Sequence, residues 1–198
     1  MSAAVEREPA HPGETIRTER MDLRAGTPAS LRADLEGAAA LARALGVRVP
    51  AEWPPDLYDA PAIEYTIAHL ERVPPEERHW GFYYFVLRDD EGAGPVAVGC
   101  GGFKGAPTDD GTVELGYTVL ARYRRRGLAT EAVHGFLGRA FAAPEVRRVI
   151  AETLPELTPS IGVLEKSGFR FIGQGSEPGV IRFEITRQEW RASAGRPG

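Results

Sequence analysis

The sequence has little cysteine, little histidine and no excess of positive charge, and each scarcity excludes something. Its single cysteine, Cys100, rules out an internal disulfide. Set among glycines in an apolar run, it reads as a small packed residue of a reduced, intracellular protein. His69, His79 and His134 show no metal-ligand spacing, so no metal site is expected. No window approaches the roughly 20 apolar residues that span a bilayer, and the start MSAAVEREPAHPGE lacks the apolar core of a secretion signal. A cytoplasmic protein with no membrane partner is the expectation. Lys and Arg number 24 against 28 Asp and Glu, a net charge of −4, which argues against nucleic acid as the main partner. Any basic site is therefore local. No internal repeat is found, and neither a P-loop nor a GxGxxG is present.

The 198 residues are 42% hydrophobic and 26% charged, a soluble globular composition that supports one packed domain without disulfides. Residues 1–14 hold Pro9, Pro12 and Gly13 among few large apolar side chains, and the end SAGRPG is alike. The expected layout is a flexible tail over 1–14, a single domain over 15–190 and a second flexible tail over 191–198.

Apolar alternation at Ile16, Met21 and Leu23 predicts one strand over 15–24. Thr27 before Pro28 is a cap and first-turn pair, and Leu31, Leu35, Ala38, Leu41 and Leu45 predict one helix closed by Gly46. The proline-rich VPAEWPPDLYDAP is a structured loop, and a helix over about 61–72 buries Ile63, Ile67 and Leu70. Strands follow at 81–90, 95–105 and 112–120. The strongest helix comes next, with Leu128, Ala132, Val133, Phe136, Leu137, Ala140 and Phe141 at helical spacing. A buried strand over 146–154, a short helix over 158–169 and two closing strands complete the order βααβββαβαββ. The strand–helix–strand passage implies one parallel pair in an otherwise antiparallel α+β sheet.

The informative segment is VLARYRRRGLATE at 119–131, where a strand passes into a helix through arginines and a glycine. A helix N-terminus offers unpaired N–H donors and partial positive charge, and glycine lets a ligand approach the backbone, so the junction suits a pyrophosphate. A solvated basic turn would have the same composition.

Arg124-Arg125-Arg126-Gly127-Leu128-Ala129 resembles the Q/R-x-x-G-x-G/A signature of the GNAT N-acetyltransferases, and it follows VELGYTV, which looks like their fourth strand. Ser160 to Phe169, SIGVLEKSGF, resembles the S-x-x-VLEK-x-GF helix of the RimJ/RimL-type branch, as do TERMDLR and GGFKGAP. The resemblance covers about residues 15–188. It implies the GNAT acyltransferase fold, a mixed and mostly antiparallel sheet with one parallel pair splayed and helices on its faces. It also implies acetyl transfer from acetyl-CoA to a primary amine, either a small molecule or a peptide N-terminus, in a monomer or homodimer.

By that resemblance the amides of Tyr117, Thr118 and Val119 hold the pantetheine arm, with Gly116 marking a bulge. The amides of Arg125, Arg126, Gly127, Leu128, Ala129 and Thr130 hold the pyrophosphate, and Arg124, Arg125 or Arg126 reaches a phosphate through its side chain. Glu114 or Glu152 is the base, acting through water, and Ser160 contacts the cofactor sulfur or donates a proton to the thiolate. As a bare residue Ser160 is equally a helix-cap serine. Two departures stand out. Neither Leu157 nor Thr158 supplies the asparagine many relatives carry, and Leu164 replaces the tyrosine some use as acid. They leave open a non-catalytic acyl-CoA-binding sensor or scaffold of the same fold. Trp53, Tyr58, Trp80, Tyr83 and Tyr84 lie where aromatics either line an acceptor slot or fill the core.

Overall fold

A computed structural model of the chain describes residues 15–194. The tail expected over 1–14 and the end at 195–198 lie outside the described residues. Strands β1 (Thr15–Arg17) and β2 (Met21–Ala25) lead into helices α1 (Pro28–Glu36), α2 (Ala38–Leu45) and α3 (Ala60–Arg72). Then come β3 (Phe82–Leu87), β4 (Val96–Phe103), β5 (Thr112–Val119), α4 (Leu128–Ala142), β6 (Arg148–Thr153), α5 (Thr158–Lys166), β7 (Arg170–Gln174), β8 (Ile181–Thr186) and α6 (Arg187–Ala194).

Three elements differ from the sequence reading. The first strand is a hairpin, because the backbone turns at Thr18, whose N–H donates to the Met21 carbonyl at 2.9 Å. The first helix is two. It begins as expected, with Thr27 and Ser30 capping each other's N–H groups at 3.1 and 2.9 Å. It stops at Gly37, whose φ of 112° is open to glycine and costly for other residues. Gly46, in the left-handed conformation at φ 66°, closes α2. The third difference is α6, which takes in the first residues of the expected C-terminal tail.

The eight strands form one sheet in the order β1-β2-β3-β4-β5-β6-β8-β7. Every neighbouring pair is antiparallel except β5 and β6, joined by the α4 crossover. Alternation along β3 sorts the core. Tyr83 and Phe85 face α4, where the Phe136 ring packs at 5.4 and 5.9 Å between centroids. Tyr84 faces α1 and the 50–59 loop.

The aromatic residues weighed as an acceptor lining are core residues. Trp53, Tyr58, Trp80, Tyr83 and Tyr84 are each at most 7% exposed. Three of them converge on one buried carboxylate. Trp53 Nε1 donates to Asp34 Oδ1 at 2.6 Å, and the Tyr58 and Tyr84 hydroxyls donate to Oδ2 at 3.0 and 3.1 Å. Burial outweighs these bonds and holds the Asp34 carboxyl above the ordinary aspartate value. Trp53 also borders a cavity of about 300 Å³ formed with Asp34, Gly37, Pro54 and Ile63, none of them from β5 or β6. Cys100 is buried, as its neighbours suggested.

Candidate active site

The β5–β6 pairing runs only from Thr112↔Arg148 to Leu115↔Ala151, although β5 continues to Val119 and β6 to Thr153. Past Leu115 the two strands part. The bulge expected at Gly116 is not what opens them, because β4 and β5 stay in unbroken register from Phe103↔Leu115 to Gly99↔Val119. That register decides which amides face the gap. Lys104 N–H bonds Glu114 O and Leu120 N–H bonds Val98 O, so even-numbered β5 residues bond β4 and odd-numbered ones turn away from it. Tyr117 and Val119 therefore aim their N–H groups into the gap. Thr118 does not: alternation turns its amide toward Cys100 in β4, correcting the reading that groups all three. The Thr118 hydroxyl instead donates to the Asp56 carbonyl at 2.9 Å.

The chain then makes a short helical turn (Ala121–Tyr123) and enters α4 through Arg125, with φ 61°, and Gly127, with φ 78°. Left-handed backbone at a non-glycine residue is strained, and it turns successive N–H groups toward one concave side. Gly127 caps α4 with no side-chain hydrogen bond, and the first backbone bond into the helix is Glu131 N–H to Gly127 O at 3.0 Å. Among the described residues no protein acceptor takes the N–H groups of Arg125, Arg126, Gly127, Leu128, Ala129 or Thr130. That is a row of donors at the positive end of a 15-residue helix. A β-carbon on Gly127 would meet nothing closer than Arg20 Nη2 at 3.4 Å, so the seat has room.

The three arginines of the turn are not equivalent. Arg124 is committed within the protein, through Nε to the Val119 carbonyl at 3.0 Å and Nη2 to Asp56 Oδ2 at 2.6 Å. These bonds tie the turn to the 50–59 loop. Arg126 lies 5.3 Å over the Tyr123 ring and 3.9 Å from both Asp90 and Glu91. Arg125 has no protein partner among the described residues and is the one whose side chain is available.

The candidate bases also separate. In the parallel register Glu114 lies beside Ile150, so Glu114 and Glu152 project from the same sheet face, that of α1 and α3. Glu114 is next to the last paired residue of β5 and has the Lys104 ammonium as its ion partner. Glu152 is saturated. Its Oε1 accepts from Ser176 N–H at 2.8 Å and Arg182 Nε at 2.7 Å, and its Oε2 accepts from the Ser176 hydroxyl at 2.7 Å. Burial by itself would raise its pKa, but these bonds and the Arg182 charge hold it below the ordinary glutamate value. A carboxylate so arranged is a poor base.

Ser160 lies in the first turn of α5 and does not cap it. The cap residue is Leu157, with no side-chain bond. Tyr117 reaches from β5 to this serine, its hydroxyl donating to the Ser160 carbonyl at 3.1 Å and lying 3.3 Å from Oγ. Burial, against the Ser160 bond, pushes the Tyr117 phenol up to about 12, so it keeps its proton at neutral pH. The sequence reading gave Tyr117 only a backbone role, because nothing in VELGYTV says which helix its ring will meet. Thr130 lies at the third position of α4 with its amide free.

Known proteins supply an independent comparison. A family model described as an acetyltransferase (GNAT) domain matches residues 27–170. An uncharacterized N-acetyltransferase, p20, of Bacillus licheniformis is 32% identical over 101 residues, 47% of this chain and 57% of that protein. YjdG of Bacillus subtilis, also an uncharacterized N-acetyltransferase, is 33% identical over 72 residues, 36% of this chain and 43% of that protein. The chain thus spans about half the length of the curated relatives it matches. Among solved structures, a putative ribosomal-protein-serine acetyltransferase from Vibrio cholerae superimposes with a TM-score of 0.60 at 19% identity, covering 88% of this chain and 98% of that one. An aminoglycoside acetyltransferase, AAC(6')-Ib, in complex with coenzyme A gives 0.57 at 18%, covering 88% and 99%. At such identities these two speak for the fold, while the family model reaches most of the domain. With the parted strands and the open helix start already in place, it follows that this chain belongs to the GNAT acetyltransferase family.

Proposed function

We propose that the protein is an acetyl-CoA-dependent N-acetyltransferase, of the RimJ/RimL-type branch, that acts on a primary amine of a small molecule or a peptide N-terminus. The observation that carries this reading is two groups of amides that meet no protein acceptor among the described residues, Tyr117 and Val119 in the gap and Arg125–Thr130 at the start of α4. It suits a ligand that is strand-like at one end and a diphosphate at the other, which is the shape of coenzyme A. The Tyr117 and Val119 N–H groups hold the arm as an added strand, the α4 start holds the diphosphate, and Arg125 supplies a cation.

In the reaction the amine nitrogen bonds to the thioester carbonyl carbon as the carbon–sulfur bond breaks. One proton leaves the amine and one joins the departing thiolate. Glu114 accepts the first, through water. Ser160 delivers the second, with the neutral Tyr117 hydroxyl beside it to replenish the proton. This arrangement offsets the missing tyrosine at Leu164.

Release of free coenzyme A thiol from acetyl-CoA, followed with a panel of small amines and peptides, tests the proposal. Thiol release that depends on an amine supports it. Tight binding of acetyl-CoA without turnover on any amine would instead make the protein a non-catalytic acyl-CoA sensor.

A further inference from the structure

The turn between β1 and β2 is far from the α4 start in sequence and in contact with it in space. Glu131, in the first turn of α4, accepts at Oε1 from the Thr18 hydroxyl at 2.5 Å and the Arg20 N–H at 2.7 Å, and at Oε2 from Arg20 Nε at 2.7 Å. Arg20 Nη1 continues to the Arg126 carbonyl at 2.9 Å. Nη2, which has no protein partner among the described residues, stands 3.4 Å from where a β-carbon on Gly127 would be.

Two consequences follow from elementary chemistry. A trans peptide points its C=O and N–H in opposite directions, so fixing the Arg126 carbonyl on Arg20 fixes the Gly127 N–H on the opposite side. Were that peptide to turn over, a carbonyl oxygen would enter the row of donors and repel any anion there. Glu131, moreover, is a carboxylate beside a seat meant for negative charge, and the Arg20 guanidinium cancels it at contact distance. Resting on the proposed function, we infer that Arg20 is a positioning residue for the cofactor diphosphate: it locks the Arg126–Gly127 peptide with its N–H presented and neutralises Glu131.

The test compares acetyl-CoA with acetyl-pantetheine, a thioester without the diphosphate, as donors for the wild type, Arg20→Ala and Arg20→Lys, alongside calorimetry with coenzyme A. Arg20→Ala is expected to raise KM for acetyl-CoA about tenfold or more, as loss of a charge-assisted contact does, with kcat within about twofold and kcat/KM for acetyl-pantetheine unchanged. Arg20→Lys keeps the charge but lacks the fork needed to hold a carboxylate and a carbonyl together, and should recover less than half of the loss. It also keeps the comparison readable should alanine unfold the turn. An unchanged KM in Arg20→Ala, equal losses with both thioesters, or full recovery in Arg20→Lys would each overturn the inference. Wild-type protein that fails to bind coenzyme A would overturn the proposed function itself, and this inference with it.

Discussion

Replacing Asp34 by alanine removes the acceptor on which three buried donors converge. The Trp53 indole can only donate, so its N–H is left without a partner, at a cost of about 1–3 kcal/mol. The two tyrosine hydroxyls both point at Oδ2, close enough to bond each other, and recover part of their loss. Relief from burying a carboxylate, seen in the raised pKa of Asp34, offsets a further part. The balance is a destabilisation of about 3 kcal/mol, which lowers the melting temperature of a domain this size by roughly 6–12 °C. Function should suffer too. Trp53 and Tyr58 belong to the loop whose Asp56 holds Thr118 and Arg124, so KM for acetyl-CoA rises even below the melting transition. Thermal melts of Asp34→Ala, Trp53→Phe and the double variant measure the link directly. The Trp53→Phe change should cost about 1 kcal/mol less once Asp34 is gone. A wild-type melting temperature for Asp34→Ala, or strictly additive losses, would refute the reasoning.

Gly127→Asp places a left-handed non-glycine residue and a negative charge at the seat; the strain costs about 1–2 kcal/mol and lowers the melting temperature by roughly 2–8 °C. Coenzyme A affinity by calorimetry should fall far more, about 100-fold or beyond. Glu114→Gln should lower kcat by about 100-fold or more, whereas Glu152→Gln keeps kcat within about threefold, as steady-state kinetics at saturating acetyl-CoA would show. The Glu131 pKa is held down by bonds from Thr18 and Arg20 that outweigh burial, so its share of stability is present above the ordinary glutamate value and is lost as pH falls below about 4.5. Glu131→Gln should therefore flatten the acid limb of the stability curve in denaturant titrations at several pH values.

Much of the fold was legible because it is periodic. The apolar spacing of α4 is a local property, and so are the Thr27 cap, the Gly46 stop and the glycine in the arginine turn. The errors have an equally local cause. Gly37 interrupts a pattern that remains apolar on both sides, so the spacing alone reads through it. The aromatic residues Trp53, Tyr58 and Tyr84 carry no mark of the buried aspartate that gathers them. The candidate site was legible as a stretch of chain but not as a list of atoms. Which of Tyr117, Thr118 and Val119 turns its amide outward depends on the β4 register. Whether Arg124 is free depends on Asp56.

By itself, then, the sequence determined most of the elements, their order and the place where a strand gives way to a helix start, since backbone propensity, capping and apolar spacing act over a few residues. Only the tertiary structure decided that β5 and β6 separate after Leu115, that Glu152 is held by Ser176 and Arg182 while Glu114 meets only Lys104 among the described residues, and that Arg20 meets a carboxylate 111 residues away. Those outcomes depend on register and on packing between distant segments, and side chains meeting across such distances leave no periodic trace in the chain.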